Sequence, residues 1–290
     1  MLKMMLRSII LSILVLNSCP VLGQQVILKS EFKNRFGPDM SVNSTTDSNR
    51  KVDLKPFEPK QFKSLNKSII ERDHEVVMVG KVAPEGLNIY EIALFGNYQK
   101  TMAQLEEDRI FIQDADRNFE NREKASYFFS DMGWQYLSEG SKKMATFRYN
   151  LAHLLNPDNV DVFWGLGVIA YQKEEFEEAV KLMSMGLDAG GTTNVTLLVD
   201  LATVYIKCFS ENHHNTDLPK AYDLLHLAIK LKPDFGNAYM QLSLANLVNG
   251  KPNEAWINFH KGYEVSPLNA DFELLSKLLK AKPDPMGVFN

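Results

Sequence analysis

The sequence predicts an all-α protein: an α-solenoid of four helix–turn–helix repeats plus a capping helix, preceded by a largely extended N-terminal segment. Landmark residues recur 34 positions apart beyond residue 125, as with Gly133 and Gly167 or Pro233 and Pro267. Within each interval, two apolar runs have the i, i+3, i+4, i+7 spacing of one helix face. A final apolar run after Pro267 has no second run to pair with, which is typical of the cap of a solenoid.

Composition places the chain among ordinary soluble globular proteins. It has 290 residues, of which 45% are hydrophobic and 23% charged. With 32 basic and 36 acidic residues, the net charge of −4 argues against a general nucleic-acid binder, which needs a basic surface. The charge is uneven: residues 24–85 carry a net +2 and residues 86–290 a net −8.

Residues 1–23 are predicted to be a signal peptide. Lys3 and Arg7 precede an apolar run at 8–16, which is too short to span a bilayer. Small or modest residues before Gln24 provide a cleavage site, so we expect an exported protein, either periplasmic or secreted.

A second way of processing this segment stays open. Residues 16–19 (Leu-Asn-Ser-Cys) resemble a relaxed bacterial lipobox, in which Cys19 becomes a lipidated N-terminus. The protein would then be an outer-membrane lipoprotein, and a membrane contact is expected only in that case. Under either alternative, Cys208 is the remaining thiol of the mature chain, and its apolar helical surroundings predict that it is buried.

Residues 24–85 are expected to be flexible or extended. The run 41–49 is polar, and prolines keep residues 55–60 out of the α region, whereas Val76–Val79 could form a short strand. Residues 86–125 are expected to form an N-terminal helical segment, with a helix over 97–115.

The repeats occupy residues 126–290 together with the capping helix. Each unit has bulky residues on its first helix around one small residue, then an alanine that starts the second helix, and in most units a closing proline. The four units read Phe129, Met132, Gly133, Tyr136, Ala145, Tyr149, Ala152, Pro157; Phe163, Leu166, Gly167, Ala170, Ala179, Met183, Gly186; Leu198, Leu201, Ala202, Tyr205, Ala221, Leu225, Ala228, Pro233; and Tyr239, Leu242, Ser243, Asn246, Ala255, Phe259, Gly262, Pro267.

This pattern resembles the tetratricopeptide repeat (TPR), whose signature is W-x2-L-G-x2-Y, then A-x3-F, then P. The resemblance covers about residues 126–282, and residues 94–112 are similar to a preamble of exported bacterial proteins of this family. It implies a right-handed solenoid that acts as a protein-binding scaffold, without catalytic chemistry or a cofactor.

The third unit departs from the pattern by an insert at 210–217, which is expected to be an exposed loop between two helices. Cys208, His213, His214 and Asp217 give C-x4-H-H-x2-D, a set of metal-ligand types. A metal-binding or hydrolytic protein that uses the 208–217 loop is therefore the alternative function.

Other motifs do not assemble a catalytic site. Residues 165–170 imitate the dinucleotide fingerprint G-x-G-x-x-A, but that motif requires a preceding strand, and Gly167 instead occupies the small position of a repeat helix. No catalytic, cofactor or metal residue is assigned, and the protein is not expected to be an enzyme.

The resemblance places repeat positions 2, 5, 9 and 12 of each first helix along a concave groove. Here these positions hold Tyr127, Ser130, Trp134, Leu137; Asp161, Trp164, Val168, Tyr171; Thr196, Val199, Thr203, Ile206; and Asn237, Met240, Leu244, Leu247. The binding residues we predict are Tyr127, Trp134, Trp164, Tyr171, Met240 and Leu244. The expected partner is a protein or peptide, or the chain's own N-terminal segment, in which residues 55–80 are rich in apolar side chains.

Overall fold

The structure, a computed structural model, describes residues 81–289. The predicted signal peptide, the lipidation site and the strand at Val76–Val79 lie outside these residues. Between residues 81 and 289 the regular elements are helices, apart from one isolated bridge between Lys81 and Tyr98. None of the helices in this range is long and apolar enough to cross a membrane.

Ten α-helices follow one another along the described chain. They are α1 (Met102–Asn118), α2 (Arg122–Ser138), α3 (Lys142–Leu155), α4 (Val160–Tyr171), α5 (Phe176–Asp188), α6 (Val195–Asn212), α7 (Asp217–Leu231), α8 (Gly236–Val248), α9 (Pro252–Val265) and α10 (Phe272–Ala281).

The helices pack as four hairpins, α2–α3, α4–α5, α6–α7 and α8–α9, and α10 packs on α9. The all-α architecture of stacked helix pairs with a capping helix is therefore confirmed. The helices α3, α7 and α9 each end two residues before the proline that closes their unit, because the ring excludes the preceding residue from the α region.

Small residues allow the two helices of a hairpin to approach each other. Ala145, Ala179, Ala221 and Ala255 are fully buried at the start of the second helices. A Cβ added at Gly167 would lie 2.5 Å from the Cγ atom of Met183, so the repeat needs glycine there.

Half of the insert of the third unit is helical, so the exposed loop expected over 210–217 is shorter than predicted. Helix α6 has 18 residues, against 12 in α4 and 13 in α8, and continues through Asn212. The loop is reduced to 213–216, with His213 in the left-handed region (φ 53°) at the end of α6. The first three residues of the insert extend α6, so their backbone groups join the hydrogen bonds of that helix.

The segment before α1 begins with two short 3₁₀ turns, Ile89–Glu91 and Ala93–Asn97, and the helix expected over 97–115 starts later, at Met102. The side-chain amide of Asn150 on α3 donates hydrogen bonds to the carbonyl oxygens of Tyr90 (2.8 Å) and Ile92 (2.7 Å). These bonds fasten the segment to the first hairpin.

A buried ion pair lies under this segment. The Lys100 ammonium is 2.5 Å from one carboxylate oxygen of Asp108, and the Tyr90 hydroxyl donates to the other. The same ammonium lies 3.5 Å from the ring centroid of Phe95. Burial lowers the pKa of Lys100, and the contact with Asp108 opposes this change. Tyr90, Phe95, Lys100 and Asp108 therefore form one cluster before the repeats.

The last residues fold back onto α9. The Trp256 indole donates to the carbonyl oxygen of Lys282 (3.0 Å), and the Phe289 ring stacks on Trp256 and His260. Asp284 lies 2.7 Å from His260 Nε2 and accepts hydrogen bonds from the backbone N–H groups of residues 286, 288 and 289. Burial alone would raise the pKa of Asp284, but these hydrogen bonds outweigh it and lower the pKa to about 2.

Candidate protein-binding face

The first helices of the four hairpins, α2, α4, α6 and α8, carry the predicted groove residues. We call the residues at repeat positions 2, 5, 6, 9 and 12 of these helices the first-helix face. Neighbouring members touch across helices: the rings of Trp134 and Trp164 are 4.8 Å apart, and the Trp164 indole donates to Asp200 Oδ2 at 2.8 Å. The side chains therefore form a continuous line across α2, α4 and α6.

Several of the predicted binding residues are buried. Trp134 and Trp164 are each 6% exposed and Met240 is 2% exposed, whereas Tyr171 and Leu244 are half-buried. Tyr127 is 45% exposed. Solvent therefore reaches the face at Tyr127, Tyr171 and Leu244, and the two tryptophans form its base.

The six predicted residues do not form one cluster. Met240 belongs to the core of the last hairpin and the cap, together with Trp256 and Phe259, and Leu244 packs against that core. Trp134 packs against both Trp164 and Tyr149 at the first two hairpins. The structure thus brings the two tryptophans together and places Met240 elsewhere.

Tyr149 packs against Trp134 and is absent from the predicted site. Its ring, which extends from α3, passes between two glycines of the first helices. A Cβ at Gly133 would lie 2.6 Å from Tyr149 Cε1, and a Cβ at Gly165 would lie 2.1 Å from Tyr149 Cζ. The Gly165 and Gly167 pair within α4 therefore serves side-chain packing, which explains its likeness to a dinucleotide fingerprint.

Asp200 is the second residue of this region that is absent from the predicted site. It lies at position 6 of α6 and accepts the indole hydrogen bond of Trp164. Burial raises the pKa of Asp200 to about 6, and this hydrogen bond opposes the increase. Its signal in the sequence is an acid at position 6 in two first helices, Asp131 and Asp200, with a further acid, Asp161, at position 2 of α4.

Two buried polar atoms on the same helices lack a hydrogen bond. They are Nε1 of Trp134, a donor, and Oε1 of Gln241, an acceptor. Both residues are more than nine-tenths buried. Gln241 occupies on α8 the position that Asp200 occupies on α6. An unmade hydrogen bond at a buried atom is unfavourable, so each atom favours a ligand that supplies its complement.

The structure does not assemble the proposed metal loop. Cys208 is buried (6% exposed) within α6, whereas His213 and His214 are exposed beyond its end. The expected burial of Cys208 is confirmed, and burial raises the pKa of its thiol, with nearby carboxylates adding to the effect. Within residues 81–289, no three histidine, cysteine or acidic side chains converge as a metal site.

No protein-family model matches the chain, and no curated protein sequence is similar to it. Among solved structures, the chain is similar to the pilF protein of Pseudomonas aeruginosa, with 19% identity and a TM-score of 0.47 over 55% of this chain and 68% of that one. It is also similar to MamA (19% identity, TM-score 0.42, 55% of this chain and 86% of that one). A third is YrrB, described as a TPR protein with an unusual peptide-binding site (22% identity, TM-score 0.43, 62% and 95%).

Proposed function

We propose that the protein is a non-enzymatic scaffold that binds an extended segment of a protein or peptide along its first-helix face. The observation that carries the proposal is the line from Trp134 through Trp164 to Asp200, which joins three successive first helices. Aromatic residues are enriched at protein interfaces, and the more accessible aromatic residues on these helices are Tyr127 and Tyr171.

The chemistry of the face defines the partner class. Its charged members are Asp131, Asp161 and Asp200, which are all acidic, and the remaining positions are mainly apolar or aromatic. An acidic, apolar surface repels phosphate groups and favours a segment that has apolar side chains together with lysine or arginine. Nucleic acid is therefore not the proposed ligand.

We also propose that the protein works outside the cytoplasm. The support is the charged and apolar pattern of residues 1–23 with its two processing sites. A mass measurement on native protein should show a terminus at Gln24 or a lipidated Cys19. An intact Met1 terminus would contradict the proposal.

The binding proposal is tested at the more accessible residues, and thermal unfolding of each variant is measured alongside because Leu244 packs against the core of the last hairpin. Proteins captured from the native host by the full chain are identified, and the affinity of each is measured for a triple variant, Tyr127→Ala, Tyr171→Ala and Leu244→Ala. We expect at least about a tenfold loss, since each interface anchor typically contributes more than about 1 kcal/mol. The matched control is Ile257→Ala with Phe272→Ala, two exposed apolar residues on α9 and α10. An equal loss in the control, or no loss in the triple variant, would reject the first-helix face as the site.

A further inference from the structure

We propose that residues 60–72 of the same chain occupy the first-helix face, so that an external partner must compete with them. The proposal rests on the proposed function, because it assumes that this face binds an extended segment. In this proposal residues 60–72 bind the face first, and a partner can bind only when it displaces them.

The composition of residues 60–72 fits the ligand class that the face favours. The segment reads KQFKSLNKSIIER, with four basic residues, one acid and four large apolar residues. The apolar residues are Phe62, Leu65, Ile69 and Ile70, and the basic ones are Lys60, Lys63, Lys67 and Arg72. Its net charge is therefore +3, in a protein whose residues 86–290 have a net charge of −8.

The charges on the face have the opposite sign. Its charged residues are the three aspartates at 131, 161 and 200. Asp161 is 8% exposed and Asp131 is half-buried, so salt screens them less than it screens surface charges. A basic and apolar segment therefore gains both electrostatic attraction and apolar burial at this face.

The two buried atoms without hydrogen bonds provide a second, independent observation. Trp134 Nε1 requires an acceptor and Gln241 Oε1 requires a donor, and both belong to first helices of the repeats. A polypeptide backbone supplies a carbonyl acceptor and an N–H donor at every residue other than proline. Residues 60–72 contain no proline, so every residue in the segment has both groups.

The tether between segment and repeats is short. Arg72 precedes Lys81, the first described residue, by nine positions, which span at most about 30 Å in an extended chain. A tether of this kind gives an effective concentration in the millimolar range, so a contact whose dissociation constant is well below about 1 mM is occupied most of the time.

Hydrogen exchange measured by mass spectrometry on the full chain tests the proposal. We expect the amides of residues 60–72 to exchange at least about tenfold more slowly than their intrinsic rates. Reversing charge with Lys63→Glu and Lys67→Glu should remove this protection and speed exchange in α4 and α6. The control, Lys51→Glu with Lys55→Glu, makes the same charge change outside the segment and should leave both unchanged.

A reciprocal pair of variants tests the face itself. Asp131→Asn with Asp161→Asn should reduce the protection of residues 60–72, whereas Glu177→Gln with Glu178→Gln on α5 should not. Intrinsic exchange rates in the wild-type segment, or protection that survives Lys63→Glu and Lys67→Glu, would overturn the proposal. Protection that disappears on dilution would also overturn it, because a second copy would then be the occupant.

Failure of the self-docking proposal can be distinguished from failure of the proposed scaffold function. If the segment exchanges at intrinsic rates while the Tyr127, Tyr171 and Leu244 triple variant still loses its partner, self-docking fails and the scaffold function stands. If the segment is protected and the charge-reversal variant binds the partner at least about tenfold more tightly than wild type, competition for one face is supported. Unchanged partner affinity in that variant would contradict competition.

Discussion

At the scale of single residues, Tyr149 determines which side chains the first helices can carry. Its ring lies against both Gly133 and Gly165, and its edge packs on Trp134 with ring centroids 5.8 Å apart. The Tyr149 ring therefore fits only if both neighbouring positions are glycine and Trp134 packs on its edge. A pattern of small and large residues predicts close packing but does not reveal that one ring serves two repeats.

Gly165→Ala should destabilise the protein by about 1–3 kcal/mol, because the new Cβ would overlap the Tyr149 ring. Urea unfolding of the full chain measures this cost. In a Tyr149→Leu background the same substitution should cost less, since the ring that causes the overlap is gone. Equal costs in both backgrounds would contradict the packing described here.

Asp200 should make the protein less stable as the pH rises from about 4 to about 6. Its folded pKa of about 6 lies above the ordinary value of 3.8, so the folded state favours the protonated form and this contribution is lost through that range. Asp200→Asn keeps an oxygen that accepts the Trp164 hydrogen bond and carries no charge. It should match or exceed wild-type stability at pH 7, by up to about 3 kcal/mol, with the difference shrinking toward pH 4. Lower stability than wild type at pH 7 would refute this account.

The sequence predicted which residues line up along the first helices better than it predicted their exposure. Helical periodicity gives the direction of a side chain from its helix, and this was sufficient to bring Trp134 and Trp164 together. Exposure depends on what packs against that side, and here it includes Tyr149 from a different helix. For the same reason Met240, two repeats away, lies in the core of the cap.

At the scale of elements, α6 shows how a repeat absorbs extra residues. It extends by more than one turn beyond α4 and α8 and ends at His213, whose backbone is left-handed. A non-glycine residue in this conformation is strained, and glycine is the usual residue at such a helix end.

His213→Gly should therefore stabilise the protein by about 1 kcal/mol. His214→Gly is the matched control, since His214 does not have a positive φ, and it should bring no gain. Thermal unfolding at a pH where histidine is neutral measures both variants. A gain at His214 that equals the gain at His213 would show that the strain is not responsible.

Residues 282–289, which fold back onto α9, are held in place by the carboxylate of Asp284. Asp284→Asn should loosen residues 282–289, because Asp284 joins His260 to three backbone N–H groups. The folded pKa of Asp284 is below its ordinary value, so its contribution is present above about pH 4 and is lost as the pH falls toward about 2. Tryptophan emission at pH 7 should shift to longer wavelength as Trp256 loses its cover. Asp234→Asn, at an exposed turn, should leave the emission unchanged.

At the scale of the whole described chain, the repeat period determined the order of the helices. Small residues and prolines recur at fixed spacing because each hairpin must repeat the same close approach and the same turn. The 34-residue period does not predict the structure of the insert at 210–217 or of residues 282–289, because neither segment recurs in the other repeats. The 3₁₀ turns before α1 were also beyond prediction, because hydrogen bonds from Asn150, about 60 residues later, hold them in place.

We propose that the partner binds at the first-helix face, and a hydrogen-exchange footprint of the captured partner on the full chain tests this proposal most directly. We expect slower exchange in α2, α4, α6 and α8 when the partner is bound, with the largest change around Trp164 and Asp200, and little change in α3, α5, α7 and α9. Slower exchange confined to α9, α10 and residues 282–289, with the first helices unaffected, would contradict it.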